Sequence, residues 1–120
     1  MKKVDLHIHT ISTITDHPFE FSEEKLLEYI KFAKLDCIAI TNHNLFDLEQ
    51  YNSIKTKISI PVFPGIEIDL EGGHLLLITD INDDLQDFED KCKLVKAEIN
   101  TPNDYISIIQ FKQIFPNLSK

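Results

Sequence analysis

Apolar and polar residues alternate at the start of the chain. Val4, Leu6 and Ile8 occupy one parity, and Asp5, His7 and His9 the other. An extended strand puts residues two apart on one face. The pattern therefore predicts a strand over 2–9, with Val4, Leu6 and Ile8 turned to a core and Asp5, His7 and His9 turned the other way. A loop over 16–22 containing Pro18 follows. Ser22 is a suitable N-cap, and Glu23 and Glu24 suit the positive end of a helix. Leu26, Leu27, Ile30 and Ala33 recur at helical spacing, which predicts a helix over 23–34.

Cys37-Ile38-Ala39-Ile40 is continuously apolar. A strand covered on both faces of a parallel sheet reads this way, and the connection from the first strand is long enough for a crossover helix. A second helix is expected over 46–56. A third strand region runs from Ile60 to Leu70, interrupted by Pro61 and Pro64. Glu71-Gly72-Gly73 predicts a tight turn that returns His74 to Ile78 as a strand. A helix near 84–95, a break at Thr101-Pro102-Asn103 and a short helix over 106–115, stopped by Pro116, complete the chain. Phe19, Phe21, Phe32 and Phe63 read as core residues. There is no internal repeat and no low-complexity stretch. The coarse class is α/β.

Composition narrows the function classes. With 120 residues and 42 % apolar content, the chain suits one small soluble domain. No apolar run approaches the roughly 20 residues that span a bilayer, and no signal core follows Lys2-Lys3, so a cytoplasmic protein is expected. Cys37 and Cys92 fit no CxxC spacing and read as reduced thiols. The net charge of -8 argues against coating a nucleic-acid duplex, which needs Lys and Arg on phosphates. It leaves room for a phosphate substrate, because bound cations would invert the local field.

The histidines supply the candidate chemistry. His7 and His9 end the first strand. His43 sits just past the second, in Thr41-Asn42-His43-Asn44. Glu67 ends the third strand region, and His74 follows the glycine turn. In α/β sheets the carboxyl ends of parallel strands share one rim, where chemistry collects. Four histidines and two carboxylates can hold two or three divalent ions. Mixed nitrogen and oxygen ligation suits Zn, Mn or Fe better than Mg or Ca. Two ions about 3.5–4 Å apart can activate water and stabilise both oxygens of a phosphoryl displacement. Asp69 and Asp80 read as solvated or turn residues, and the acidic run 80–90 as a helix cap and solvated face.

Four segments, Asp5-Leu6-His7-Ile8-His9-Thr10, Ile40-Thr41-Asn42-His43-Asn44, Gly65-Ile66-Glu67-Ile68 and Gly73-His74-Leu75-Leu76, together resemble the PHP (polymerase and histidinol phosphatase) superfamily of metal-dependent phosphoesterases. The resemblance implies the N-terminal part of a distorted (β/α)7 TIM-like barrel with a multinuclear metal site. It implies that His7 and His9 bind one metal, that Glu67 bridges, that His74 joins the same cluster and that His43 binds a neighbouring metal. A bridging water or hydroxide would attack phosphorus, and Asp5 would orient a ligand. Glu67, His43 and Asp5 thus carry the catalytic roles.

The chain departs from the family pattern in three ways. The acidic ligand usual five or six residues after the second His is absent, since positions 14 and 15 are Ile and Thr. Asp16 and His17 are the nearest candidates. Asp16 is favoured, and His17 reads as a loop residue. The Asp common before the third-motif His is Asn42. A complete family barrel is roughly twice as long, so residues 1–120 are expected to be one PHP domain incomplete at its C-terminus, with Ile114 to Lys120 running toward another strand.

Two functions follow. One is a phosphoesterase acting on a phosphorylated small molecule or a nucleic-acid end. The other is an inactive partial module, a structural or regulatory part of a larger, ATPase-linked protein, completed by self-association or by a missing C-terminal half. A nucleic-acid-binding module is disfavoured by charge.

Overall fold

In a computed structural model that describes residues 2–116, the chain forms a curled four-stranded sheet with four helices. The strands are β1 (Val4–Ile8), β2 (Cys37–His43), β3 (Val62–Leu70) and β4 (Gly73–Ile78), in the order β1-β2-β3-β4. The helices are α1 (Glu23–Ala33), α2 (Leu48–Lys57), α3 (Leu85–Ala97) and α4 (Ile108–Ile114). β1, β2 and β3 are parallel, joined by α1 and α2 as crossovers, and β4 returns antiparallel to β3. The α/β class and the element order expected from the sequence are present.

Each helix begins where a short polar side chain caps it. Ser22, Asp47, Asp84 and Ser107 each accept from a backbone amide in the first turn, satisfying one of the donors that a helix start leaves free. The helices link to one another in sequence. Lys57 of α2 pairs with Glu23 of α1, Glu89 of α3 accepts the Leu48 amide of α2, and Gln110 of α4 donates to Glu98, the C-cap of α3. No helix among the described residues is long and apolar enough to cross a membrane.

β2 and β3 carry the core. Ile38, Ala39, Ile66 and Ile68 are fully buried, and Tyr51, Ile54, Val95 and Ile106 close over them. The sheet curls tightly at Gly65. A Cβ there would sit 2.8 Å from Thr41 Cγ2 and 2.9 Å from the Leu77 carbonyl oxygen. Gly72 has φ +89°, a left-handed conformation that glycine adopts without strain, and it turns β3 into β4.

Several expectations are corrected. β1 is shorter than 2–9 and lies at an edge, paired only with β2 among the described residues. Its ladder slips register between Asp5 and Ile8. Val4 and Leu6 are therefore exposed instead of facing a core, and only Ile8 packs against it. His43 is the last residue of β2 rather than a loop residue beyond it. Pro64 does not interrupt β3. Its carbonyl accepts the Thr79 amide just past the end of β4, so the missing proline N–H falls where the antiparallel pairing ends. Phe19 and Phe32 are exposed, while Phe46, Phe88 and Phe115 fill the aromatic core. Ile106 belongs to no helix. It bridges beside Leu70, and its backbone bonds to Asp69 and Glu71 extend the rim of β3. The expected run toward another strand falls largely on residues 117–120, outside the described ones.

Candidate metal centre

The carboxyl ends of the three parallel strands share one rim, and β4 begins there because it runs the opposite way. Two groups of ligand-type atoms assemble on it: His7, His9 and Glu67, and His43, Asp69 and His74. His7 Nε2 and His9 Nε2 lie 2.9 and 2.8 Å from Glu67 Oε1. His43 Nε2 and His74 Nδ1 each lie 2.7 Å from Asp69 Oδ1. Glu67 Oε2 is 3.6 Å from His74 Nδ1, so the two oxygens of Glu67 face different groups. Glu67 therefore lies between the two groups. His74 differs from expectation. It sits with His43 and Asp69, and touches the first group only through Glu67.

Sheet register makes these pairs. His43 is opposite Glu67 across the β2–β3 ladder, and Asp69 is opposite His74 across the β3–β4 ladder. Glu67 and Asp69 are two apart on one strand, hence on one face. Both are nearly buried, at 6 % and 7 % exposure, whereas the His7 and His74 side chains are 49 % and 60 % exposed. The centre has a carboxylate floor and an open imidazole rim.

Asp16 joins neither group but touches both. Its Oδ1 is 3.4 Å from His9 Nδ1 and from His43 Nδ1, while Oδ2 accepts from the Thr13 amide and hydroxyl. A neutral imidazole has one lone pair. Facing Glu67 and Asp69, the Nε2 atoms of His9 and His43 are the donors. Were a cation to take Nε2 instead, the ring proton would sit on Nδ1, the atom that faces Asp16. His17 offers only its backbone carbonyl, to Ser12.

Two asparagines hold the frame. Asn42 Oδ1 accepts the amides of Thr10 and Ile11, and Nδ2 donates to Thr10 Oγ1. An Asp could not supply that donation, which accounts for Asn at this position. Asn44, at φ +57°, exchanges two bonds with Asp69: Nδ2 to Oδ2 at 3.0 Å, and the Asp69 amide to Oδ1 at 2.9 Å. Asp5 stays out of the cluster. Its Oδ1 accepts the His7 amide and its Oδ2 the Tyr29 hydroxyl, so it orients His7 through the backbone.

The electrostatics are those of a site short of positive charge. Among the described residues no lysine pairs with Asp16, Glu67 or Asp69. Burial pulls the Glu67 carboxyl up, but the hydrogen bonds from His7 and His9 and the charges of His43 and His7 outweigh it and hold it below its ordinary value. Burial likewise pulls Asp16 up, and the Thr13 bonds with His43 and His9 hold it down. Burial pulls the His43 imidazole down, and the bond and charge of Asp69, then Glu67 and Asp16, hold it up. The carboxylates are thus held in the anionic form, and His43 in the protonated form that balances them.

One ligand-type atom from each residue of a group lies within 4.8 Å of the others, so each group could hold one ion. Asp69 and Asn44 were missed in the sequence reading. The signal was present in Glu67-Ile68-Asp69, which repeats the two-residue spacing of His7-Ile8-His9. No family model matches the chain and no curated protein matches it, so the case for this centre stands on the chain's own residues.

Proposed function

We propose that the chain is a metal-dependent phosphoesterase of the kind its motifs resemble, and that its curled sheet is the first part of a distorted (β/α)7, TIM-like barrel of the PHP type. The observation that carries this reading is the pair of ligand groups facing opposite oxygens of Glu67. His7, His9 and Glu67 would hold one ion and His43, Asp69 and His74 a second. Because His9 and His43 each have a single lone pair to give, the side chains account for two ions rather than three. Zn, Mn or Fe bound there would lower the pKa of water and neutralise charge on a phosphate ester.

The protein's part is positioning. Asp16 fixes the ring tautomers, Asn44 holds Asp69, and Asp5 holds the backbone at His7. Glu67 links the two groups. Without cations the three carboxylates would repel a phosphate dianion, so ion binding has to come before substrate binding. The scheme requires no Ser, Thr or Cys nucleophile. Two free thiols, Cys37 and Cys92, fit a reducing, cytoplasmic setting.

A second reading draws on the open edge of β1. A strand with one edge free among the described residues, and with Val4 and Leu6 exposed, invites another strand. This supports a partial module, completed by self-association or by further chain.

Metal content of the purified chain, measured beside its size in solution, tests both. The phosphoesterase reading expects two equivalents of Zn, Mn or Fe and hydrolysis of phenyl phosphate that His7→Ala abolishes. A folded chain holding under half an equivalent overturns it, and an oligomer in that state favours the module.

A further inference from the structure

A cleft of about 660 Å³ opens beside the metal centre, with His43 in its wall. Its size is that of a small-molecule site. On one side are Ile11 and Ile14 of the loop after β1. On the other are Lys93, Lys96 and Asn100. Residues three and four apart share a helix face, so the lysines stand together on the side of α3 turned to the cleft. No Asp or Glu lines it, although the chain has 20 acidic residues and a net charge of -8. Lys93 makes one long pair with the half-buried Glu89 at 3.8 Å, and Lys96 pairs with no carboxylate among the described residues.

We infer that this cleft binds the leaving-group side of the substrate, and that the substrate is a small phosphate ester carrying a second anionic group, a phosphate or a carboxylate, held by Lys93 and Lys96. The inference rests on the phosphoesterase reading for the position of the first phosphate. His43, Lys93 and Lys96 line the same cleft, whose volume suits one small molecule, so an anion on the α3 wall and a phosphate beside His43 can belong to one compact ligand. Ile11 and Ile14 supply an apolar wall for the part between. A nucleic-acid strand would need a basic track beyond this cleft, and the acidic balance of the chain opposes one.

Lys96 also lies in the last turn of α3, where a cation stabilises the helix end. A purely structural role would change stability and leave ligand preference alone. The test is an amide NMR titration of the full chain, zinc-loaded and metal-free, with phenylphosphonate and 4-carboxyphenylphosphonate, neither of which is hydrolysed. The carboxylated ligand is expected to bind about fivefold more tightly and to shift amides 93–100, and the preference should fall below about twofold in Lys93→Gln/Lys96→Gln. Equal binding of the two ligands by the parent, or an undiminished preference in a double variant that melts cooperatively, overturns the inference. If the preference and the α3 shifts hold while the chain takes up no zinc and leaves phenyl phosphate intact, the anion cleft stands and the phosphoesterase reading falls.

Discussion

Asn44 shows how one uncharged residue can set the quality of a charged site. Its left-handed backbone ends β2 just after His43, and its amide meets Asp69 at both the carboxylate and the backbone. Asp69 is thereby aimed at His43 and His74 instead of relaxing toward water. Removing a partner that orients a ligand typically costs 10–100-fold in metal affinity. Asn44→Gly keeps the positive φ without strain and deletes only the side chain. Zinc titration of this variant against a chelating dye should show one site weakened by about 10–100-fold and the site of His7, His9 and Glu67 unchanged. Equal loss at both sites, or none, would show that Asn44 does not act through Asp69. The wider residue-scale picture was half legible. His7, His9, His43, Glu67 and His74 stood out because histidine and glutamate at strand ends are chemically conspicuous. Asp69 and Asn44 did not, because their roles depend on which strand lies opposite, and cross-strand register is not written in one segment alone.

At the scale of elements, periodicity and capping carried most of the fold. The helices at Glu23–Ala33 and Leu85–Ala97 follow their polar caps and apolar spacing, and the turn at Glu71-Gly72 yields the expected hairpin. The misreadings share a cause. Alternation in Val4-Leu6-Ile8 implied a covered face, but burial depends on neighbours, and β1 has one. Pro64 implied a break, but a proline is tolerated where its absent N–H meets the end of the neighbouring strand. The reverse holds at Gly65, whose small size is required by the curl of the sheet. Its missing Cβ leaves room for Thr41 and for the Leu77 carbonyl, and the latter is backbone that cannot swing aside. Gly65→Ala is expected to destabilise the chain by about 1–3 kcal/mol through overpacking, measured by urea unfolding with an unchanged m-value. Gly72→Ala, in open space, should cost only backbone strain. If Gly65→Ala is neutral, the sheet is not held at this curvature.

For the molecule as a whole, the rim is where acid–base balance and folding meet. Metal-free, the site is stabilised by its own titration states. The carboxyls of Glu67 and Asp16 are held below their ordinary values of 4.5 and 3.8, so their contribution is present above those values and is lost as pH falls through the folded ones. The imidazole of His43 is held above its ordinary 6.5, so its contribution is complete below 6.5 and is lost as pH rises through the folded value. The metal-free chain should therefore be most stable between about pH 4.5 and 6.5 and should weaken toward pH 8. Metal bound at the proposed sites would reverse the alkaline limb, because ions compete with protons for the same nitrogens and bind best when the imidazoles are neutral. At free metal about a hundred times its dissociation constant the gain is about 2.7 kcal/mol for each ion bound, or roughly 10 °C in melting temperature per ion for a chain of this size. Melting curves with chelator and with zinc, from pH 5 to 8, should diverge progressively: little separation at pH 5, and the full shift at pH 8. Parallel curves would mean that the histidines titrate without regard to zinc, and that the buried carboxylates of this rim are neutralised by protonated imidazoles alone.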